Sequence, residues 1–149
     1  MSKSTVTVNT GKQLFVDTDT SKIFIRANRY ETDHEINNSN YDPIVLKAGT
    51  VMGRISASGY LAPFASNASD GTQFVVGILA DDYSIEEGAT KQVAICVAGD
   101  VAKDQIIFTH DGDAFETVVS GRRVYDKIKS EAAGIIIVDR EELTNHDNS

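Results

Sequence analysis

Residues 43–82 read PIVLKAGTVMGRISASGYLAPFASNASDGTQFVVGILADD, and the fold follows from this stretch. It holds three short apolar runs, Ile44–Leu46, Val51–Ile55 and Phe74–Leu79, divided by turn chemistry. Ala48-Gly49 closes the first run, Ser58-Gly59 closes the second, and a polar loop from Ser66 to Gly71 precedes the third. Short β-branched runs punctuated by Gly, Asn, Asp and Ser are strands joined by turns. Within Val51–Ser56 the large apolar residues are spaced as in a strand with one buried face. Phe74–Leu79 is apolar on both faces and reads as the most buried strand. Gly77 in its middle marks a bulge or a close backbone neighbour.

Downstream, Tyr83–Ala89 reads as a polar loop carrying Glu86 and Glu87, closed by Gly88. Lys91–Val97 has apolar residues at every second position and predicts a strand. A turn is expected at Ala98-Gly99-Asp100, a further short strand from Val101, and continued β pattern over Asp104–Phe108. His110-Asp111-Gly112-Asp113 is a turn signal, because Gly112 tolerates positive φ. One helix is predicted over Arg122–Ala133, where Val124, Ile128 and Ala132 recur at i, i+4 and i+8. Ser120 is its expected N-cap and Gly134 its stop. Ile135–Val138 reads as a buried strand, followed by a charged and polar tail.

Upstream, Lys22–Arg26 alternates polar with apolar and predicts a strand. Tyr30–Asp42 is acidic and Asn-rich and reads as a loop, with Pro43 starting the extended run that follows. Residues 1–21 are polar apart from Val6, Val8, Leu14, Phe15 and Val16. Thr5-Val6-Thr7-Val8 alternates as a strand does, yet offers too little apolar area to offset its own ordering entropy. The expected architecture is mainly β (α+β): a compact β-barrel-like or sandwich-like core with one C-terminal helix. Residues 1–21 form an extended arm, 22–139 a single β-rich domain, and 140–149 a polar tail.

Composition narrows the function classes. The 149 residues carry 14 Lys and Arg against 22 Asp and Glu, a net charge of −8. That balance argues against direct nucleic-acid binding, which needs a basic face. No window approaches the roughly 20 consecutive apolar residues of a membrane helix, and the first residues lack the apolar core of a secretory signal. A lone cysteine, Cys96, leaves no intrachain disulfide framework and reads as a buried strand residue.

Nothing in the pattern assembles a catalytic or metal centre. His34, His110 and His146 fall in separate loop or tail segments, without partners at metal-ligand spacing on a regular element. The HDGD run lacks the glycine and terminal glutamate that a calcium-binding EF-hand loop requires. Asp81 and Asp82, adjacent on a strand, would point to opposite faces. Ser56, Ser58 and Ser69 have no nucleophile elbow. Gly49–Gly53 lacks the Lys-Ser/Thr of a phosphate loop and opens a strand. Arg122, Arg123, Lys127 and Lys129 form a basic cluster that reads as a solvated helix face. No catalytic residue, metal or cofactor is expected.

The order of these features resembles the head decoration proteins of tailed bacteriophages, the lambda D-like family. The resemblance rests on LKAGTVMGRI, on a short strand ending YLAPF, and on SDGTQFVVGILADD. It is strongest over Pro43–Asp82 and returns in the helix followed by GIIIV. It implies a trimer on the outer face of the mature icosahedral head, a virion location, and a major capsid protein as partner. The arm residues Thr5, Val6, Thr7, Val8, Leu14 and Phe15 are then the candidate capsid contacts. Phe74, Val76 and Ile78 are the candidate trimer and core residues. The chain departs from the simplest members of that family in the extra strand and loop over residues 14–42. The competing reading is a small β-barrel carrier or ligand-binding domain, lipoyl-like, with Lys91 as a candidate lysine, or another virion structural module. A carrier presents its lysine at a hairpin tip, whereas Lys91 opens a strand.

Overall fold

The computed structural model describes residues 20–39 and 42–139. The chain enters through a single 3-10 turn, Thr20–Lys22, then runs as β1 (Phe24–Asn37), β2 (Ile44–Leu46), β3 (Val51–Arg54) and β4 (Leu61–Pro63). β5 (Gly77–Leu79), β6 (Tyr83–Ile85) and the long β7 (Thr90–Ala102) follow. A second 3-10 turn, Lys103–Gln105, leads to the hairpin β8 (Val118–Val119) and β9 (Arg122–Arg123), the helix α1 (Val124–Glu131) and β10 (Ile135–Val138). Among the described residues the fold is mainly β with one helix, as the sequence predicts.

The main sheet is ordered β1-β7-β5-β3-β4, with β10 joining β7 in parallel. It is not closed into a barrel. A separate β2–β6 ribbon covers one face, so the layering is that of a small sandwich. Cross-strand register sorts the core into two layers. Val51, Ile78 and Cys96 lie opposite one another across β3, β5 and β7 and pack with Phe24, Val124, Ile128 and Ile135 toward α1. Leu79 and Ile95 face the other way and pack with Met52, Leu46 and Ile85 under the ribbon. Both faces are buried because each has its own cover, which is why the central strands are short continuous apolar runs.

The turn at Ala48-Gly49 has a specific requirement. Gly49 sits at φ 98°, and a β-carbon there would lie 2.5 Å from the Gln105 carbonyl oxygen. Thr50 and Ile107 form a bridge at this point, and the amide of Val51 donates to Ile107 O at 3.0 Å. Gly77 meets the close neighbour expected of it, since a β-carbon would stand 2.8 Å from Cys96 O.

Several expectations need correction. Residues 30–37 are not loop but the second half of β1, paired with β7 from Tyr30↔Cys96 to Asn37↔Thr90. Their polar composition fits because most of this strand's side chains face solvent. The predicted turn at Ala98–Asp100 lies inside β7, where Gly99 (φ 106°) sits opposite a bulge in β1 that includes Ala27 (φ 58°). Tyr83–Ile85 is a strand rather than the start of a loop. Asp104–Phe108 begins as a 3-10 turn. Ser120 does not cap the helix: with Gly121 it forms the two-residue turn of the β8–β9 hairpin, both at positive φ. Arg123 holds the N-cap position without a side-chain cap bond. The helix face itself is as predicted, with Val124 and Ile128 fully buried and Ala132 at its end nearly so.

Candidate functional site

Of the predicted site residues, Thr5, Val6, Thr7, Val8, Leu14 and Phe15 lie outside the described residues. The point where their segment joins the domain is well defined. Ile23 and Phe24 are 1% and 8% exposed, and Ala102 donates its amide to Ile23 O at 2.8 Å. Val138 lies opposite Ala102 on the other side of β7. Ile23 and Val138 thus both lie beside Ala102, at the same end of β7.

Phe74, Val76 and Ile78 separate. Ile78 is fully buried in the layer under α1, and Val76 is half-buried against the layer under the ribbon. Phe74 is 52% exposed and precedes the strand, which begins only at Gly77. The expectation that Phe74–Leu79 is one doubly buried strand is therefore corrected at its first residues. A polar anchor holds Phe74 outward. Glu131 Oε1 accepts the Val75 amide at 2.8 Å, while its Oε2 takes the Lys127 ammonium at 3.0 Å. Lys127 Nζ then lies 5.2 Å from the centroid of the Phe74 ring. Both side chains are largely buried, so two members of the basic cluster's helix are structural rather than free at the surface.

A second set of charged groups stands where β1 approaches β3. Arg54 Nη2 lies 3.1 Å from His34 Nδ1, and His34 Nε2 lies 2.8 Å from Glu31 Oε1, with Asp33 Oδ1 at 3.6 Å. A guanidinium can only donate, so Nδ1 accepts and the ring hydrogen sits on Nε2, donated to Glu31. Glu31, Asp33 and His34 lie close enough to hold a cation. A metal on Nε2 would move the ring hydrogen to Nδ1, facing the guanidinium, so Arg54 works against that use. Sequence reasoning missed this group because it read residues 30–42 as a loop. The bulge between Glu31 and His34 brings onto one side residues that simple alternation would split.

The other motifs resolve into structural roles. Asp113 of the HDGD turn accepts the Ser66 amide at 2.9 Å and the Ser66 hydroxyl, and its side chain is 2% exposed. It ties the polar loop 66–71 to the turn, with His110 Nδ1 3.3 Å from its Oδ2. Asp82 accepts the Ala48 amide at 2.8 Å, and Asp81 accepts the amide of Asp82, so the pair does not converge. Burial pushes the Cys96 thiol upward, which leaves it a poor nucleophile. Lys91 is the second residue of β7 and donates to Ser84 O at 3.3 Å, so it lies along the strand and not within the turn that precedes it.

Around α1, Arg123 bonds Asp126 and Glu116. These bonds raise its pKa further, and Arg123 in turn holds Asp126 below the usual carboxylate range. Tyr125 ends a chain of edge-on rings running Phe64, Phe108, Phe115 and Tyr125.

The sequence model of the family described as Bacteriophage lambda head decoration protein D matches residues 35–120. The match runs from the end of β1 to the turn of the β8–β9 hairpin, and α1 and β10 lie beyond it. No curated protein matches the chain.

Proposed function

From the premise that this chain belongs to the bacteriophage lambda head decoration protein D family, a structural component of the phage head, we propose how it decorates the capsid. It binds the outer surface of the mature icosahedral head as a trimer and stabilises the shell by bridging major capsid protein subunits. The N-terminal arm is the principal contact. Thr5–Val8, with Leu14 and Phe15, adds as a strand to an exposed capsid edge, where main-chain hydrogen bonds give affinity and alternate side chains give register.

The observation that supports this reading is the firm anchorage of the residues that would follow the arm. Ile23 and Phe24 are built into the core beside Ala102, so tension on the arm reaches the long β7 directly. Many such contacts of modest strength, acting together over a shell, hold far more firmly than one. Phe74, half exposed and steadied by Lys127, is the candidate contact between copies.

Co-sedimentation tests the reading. The full chain is expected to pellet with expanded capsids and far less with unexpanded shells. A chain lacking Met1–Gly11 should stay folded and trimeric by light scattering, yet pellet weakly. Equal pelleting of the two chains, or a monomer both in concentrated solution and on the capsid, would overturn it.

A further inference from the structure

The two outer strands of the main sheet, β1 and β4, come together, yet among the described residues no backbone ladder joins them. Side chains span the seam instead. His34 lies opposite Val93 of β7, while Arg54 lies opposite Leu61 of β4 and two residues beyond Met52. Val93, Leu61 and Met52 belong to the core layer under the ribbon, so His34 and Arg54 share that face of the sheet. The His34 side chain is 10% exposed. Its Nδ1 accepts from Arg54 Nη2 at 3.1 Å, and Arg54 Nη1 donates to Gly59 O, also at 3.1 Å, in the turn between β3 and β4. One guanidinium therefore holds that turn to β1. Among the described residues, the imidazole lone pair is the acceptor it has on β1.

We propose that His34 is a proton-operated clasp across this seam. With the ring neutral, Nδ1 carries a lone pair and Nε2 donates to Glu31 Oε1 at 2.8 Å, so both contacts hold. A second ring proton goes to Nδ1 and turns that acceptor into a donor facing a group that can only donate. It also sets two positive charges side by side at a largely buried position. Glu31, and Asp33 at 3.6 Å, face the other ring nitrogen and favour the added charge, so the contact that yields is the one to Arg54. The charged groups around the ring are thus Glu31 and Asp33 from β1 and Arg54 from β3, with Arg29 3.8 Å from Glu31. β7 places the apolar Val93 opposite, and β4 consists of Leu61, Ala62 and Pro63, so neither adds a charge. Acid exchanges Arg54 for the carboxylates and opens the seam. The β1–β7 ladder, built from backbone bonds, stays closed.

Nitrogen NMR of the full chain tests this between about pH 8 and about pH 5, the range in which histidine takes its second proton. At the upper limit the His34 ring should show the Nε2–H tautomer, and the two Arg54 Nη signals should be separate because each group is bonded. As the ring takes its second proton, those signals should merge through free rotation, with the same midpoint. His34→Gln keeps an acceptor that does not titrate, so there the Nη signals should stay separate throughout. The ring should titrate at higher pH in Arg54→Met than in the unaltered chain, and at lower pH in Glu31→Gln. Excess EDTA should change nothing, and protected β7 amides confirm the fold at each pH. Arg54 signals that do not follow the ring, or that merge with the same midpoint in His34→Gln, would overturn the proposal. A ring titration unmoved by both Arg54→Met and Glu31→Gln would also overturn it. So would a titration that shifts on adding the chelator, since a bound metal would then be what holds the ring.

Discussion

At the scale of single residues, backbone geometry and short hydrogen bonds set the strongest constraints. Gly49→Ala forces both a left-handed φ and a 2.5 Å clash with Gln105 O. Gly59 has a similar φ of 82° but open space around it. Chemical denaturation should therefore show Gly59→Ala losing only about 1 kcal/mol, and Gly49→Ala about 2–3 kcal/mol or more. Equal losses would mean that the loop at Gln105 yields freely. Asp70 supplies a titration test. The Thr72 hydroxyl, then the Thr72 amide, hold its carboxyl below the usual range, at 2.6 and 3.0 Å. A folded-state pKa depressed in this way stabilises the fold above the unfolded carboxylate pKa. That contribution is lost as pH falls through the folded value. Thr72→Val should raise the Asp70 pKa part of the way back, since the amide bond remains, as followed by carbon NMR of the carboxyl. An unchanged titration would contradict the assignment of the hydroxyl as the main cause.

At the scale of elements, the sequence was most informative where apolar runs are short and bounded by turns. β2, β3 and the helix face of Val124, Ile128 and Ala132 are legible in this way, whereas β4 enters only through the family resemblance. It failed where pairing overrides composition. β1 is read from its residues as a strand that stops near Arg26, because Glu31, Asp33 and Asn37 look like loop chemistry. In the sheet they become the outward side chains of an edge strand whose backbone β7 satisfies. Successive bulges along that ladder also break the alternation from which faces are inferred, so the meeting of Glu31, His34 and Arg54 left no period in the sequence. Polar residues and bulges on β1 protect an edge that would otherwise invite pairing. Phe74 departs from expectation for a related reason: the apolar run reads as one strand, although a largely buried carboxylate caps the Val75 amide. Removing that cap with Glu131→Ala strands the Lys127 ammonium and the Val75 amide. A loss of about 3 kcal/mol in denaturant unfolding is expected, with the helix otherwise intact. A loss under about 0.5 kcal/mol would show that water replaces the carboxylate at no penalty.

At the scale of the whole molecule, the described residues form a two-layered platform in which Ile23 and Val138 meet at one end of the longest strand pair. Family membership makes it a head decoration protein, and the proposed mechanism needs a rigid body, a rooted arm and repeated weak contacts rather than a reactive centre. In the proposed mechanism the arm is where the protein meets the capsid. Thr5–Val8 has strand propensity without the apolar area to order alone, so ordering and binding should occur together. Hydrogen exchange on the free protein and on protein bound to expanded capsids measures this directly. The account predicts that the amides of Thr5–Val8 exchange freely in solution and become protected on the capsid, while β7 stays protected in both. Protection of Thr5–Val8 already in the free protein, or free exchange there on the capsid, would contradict it.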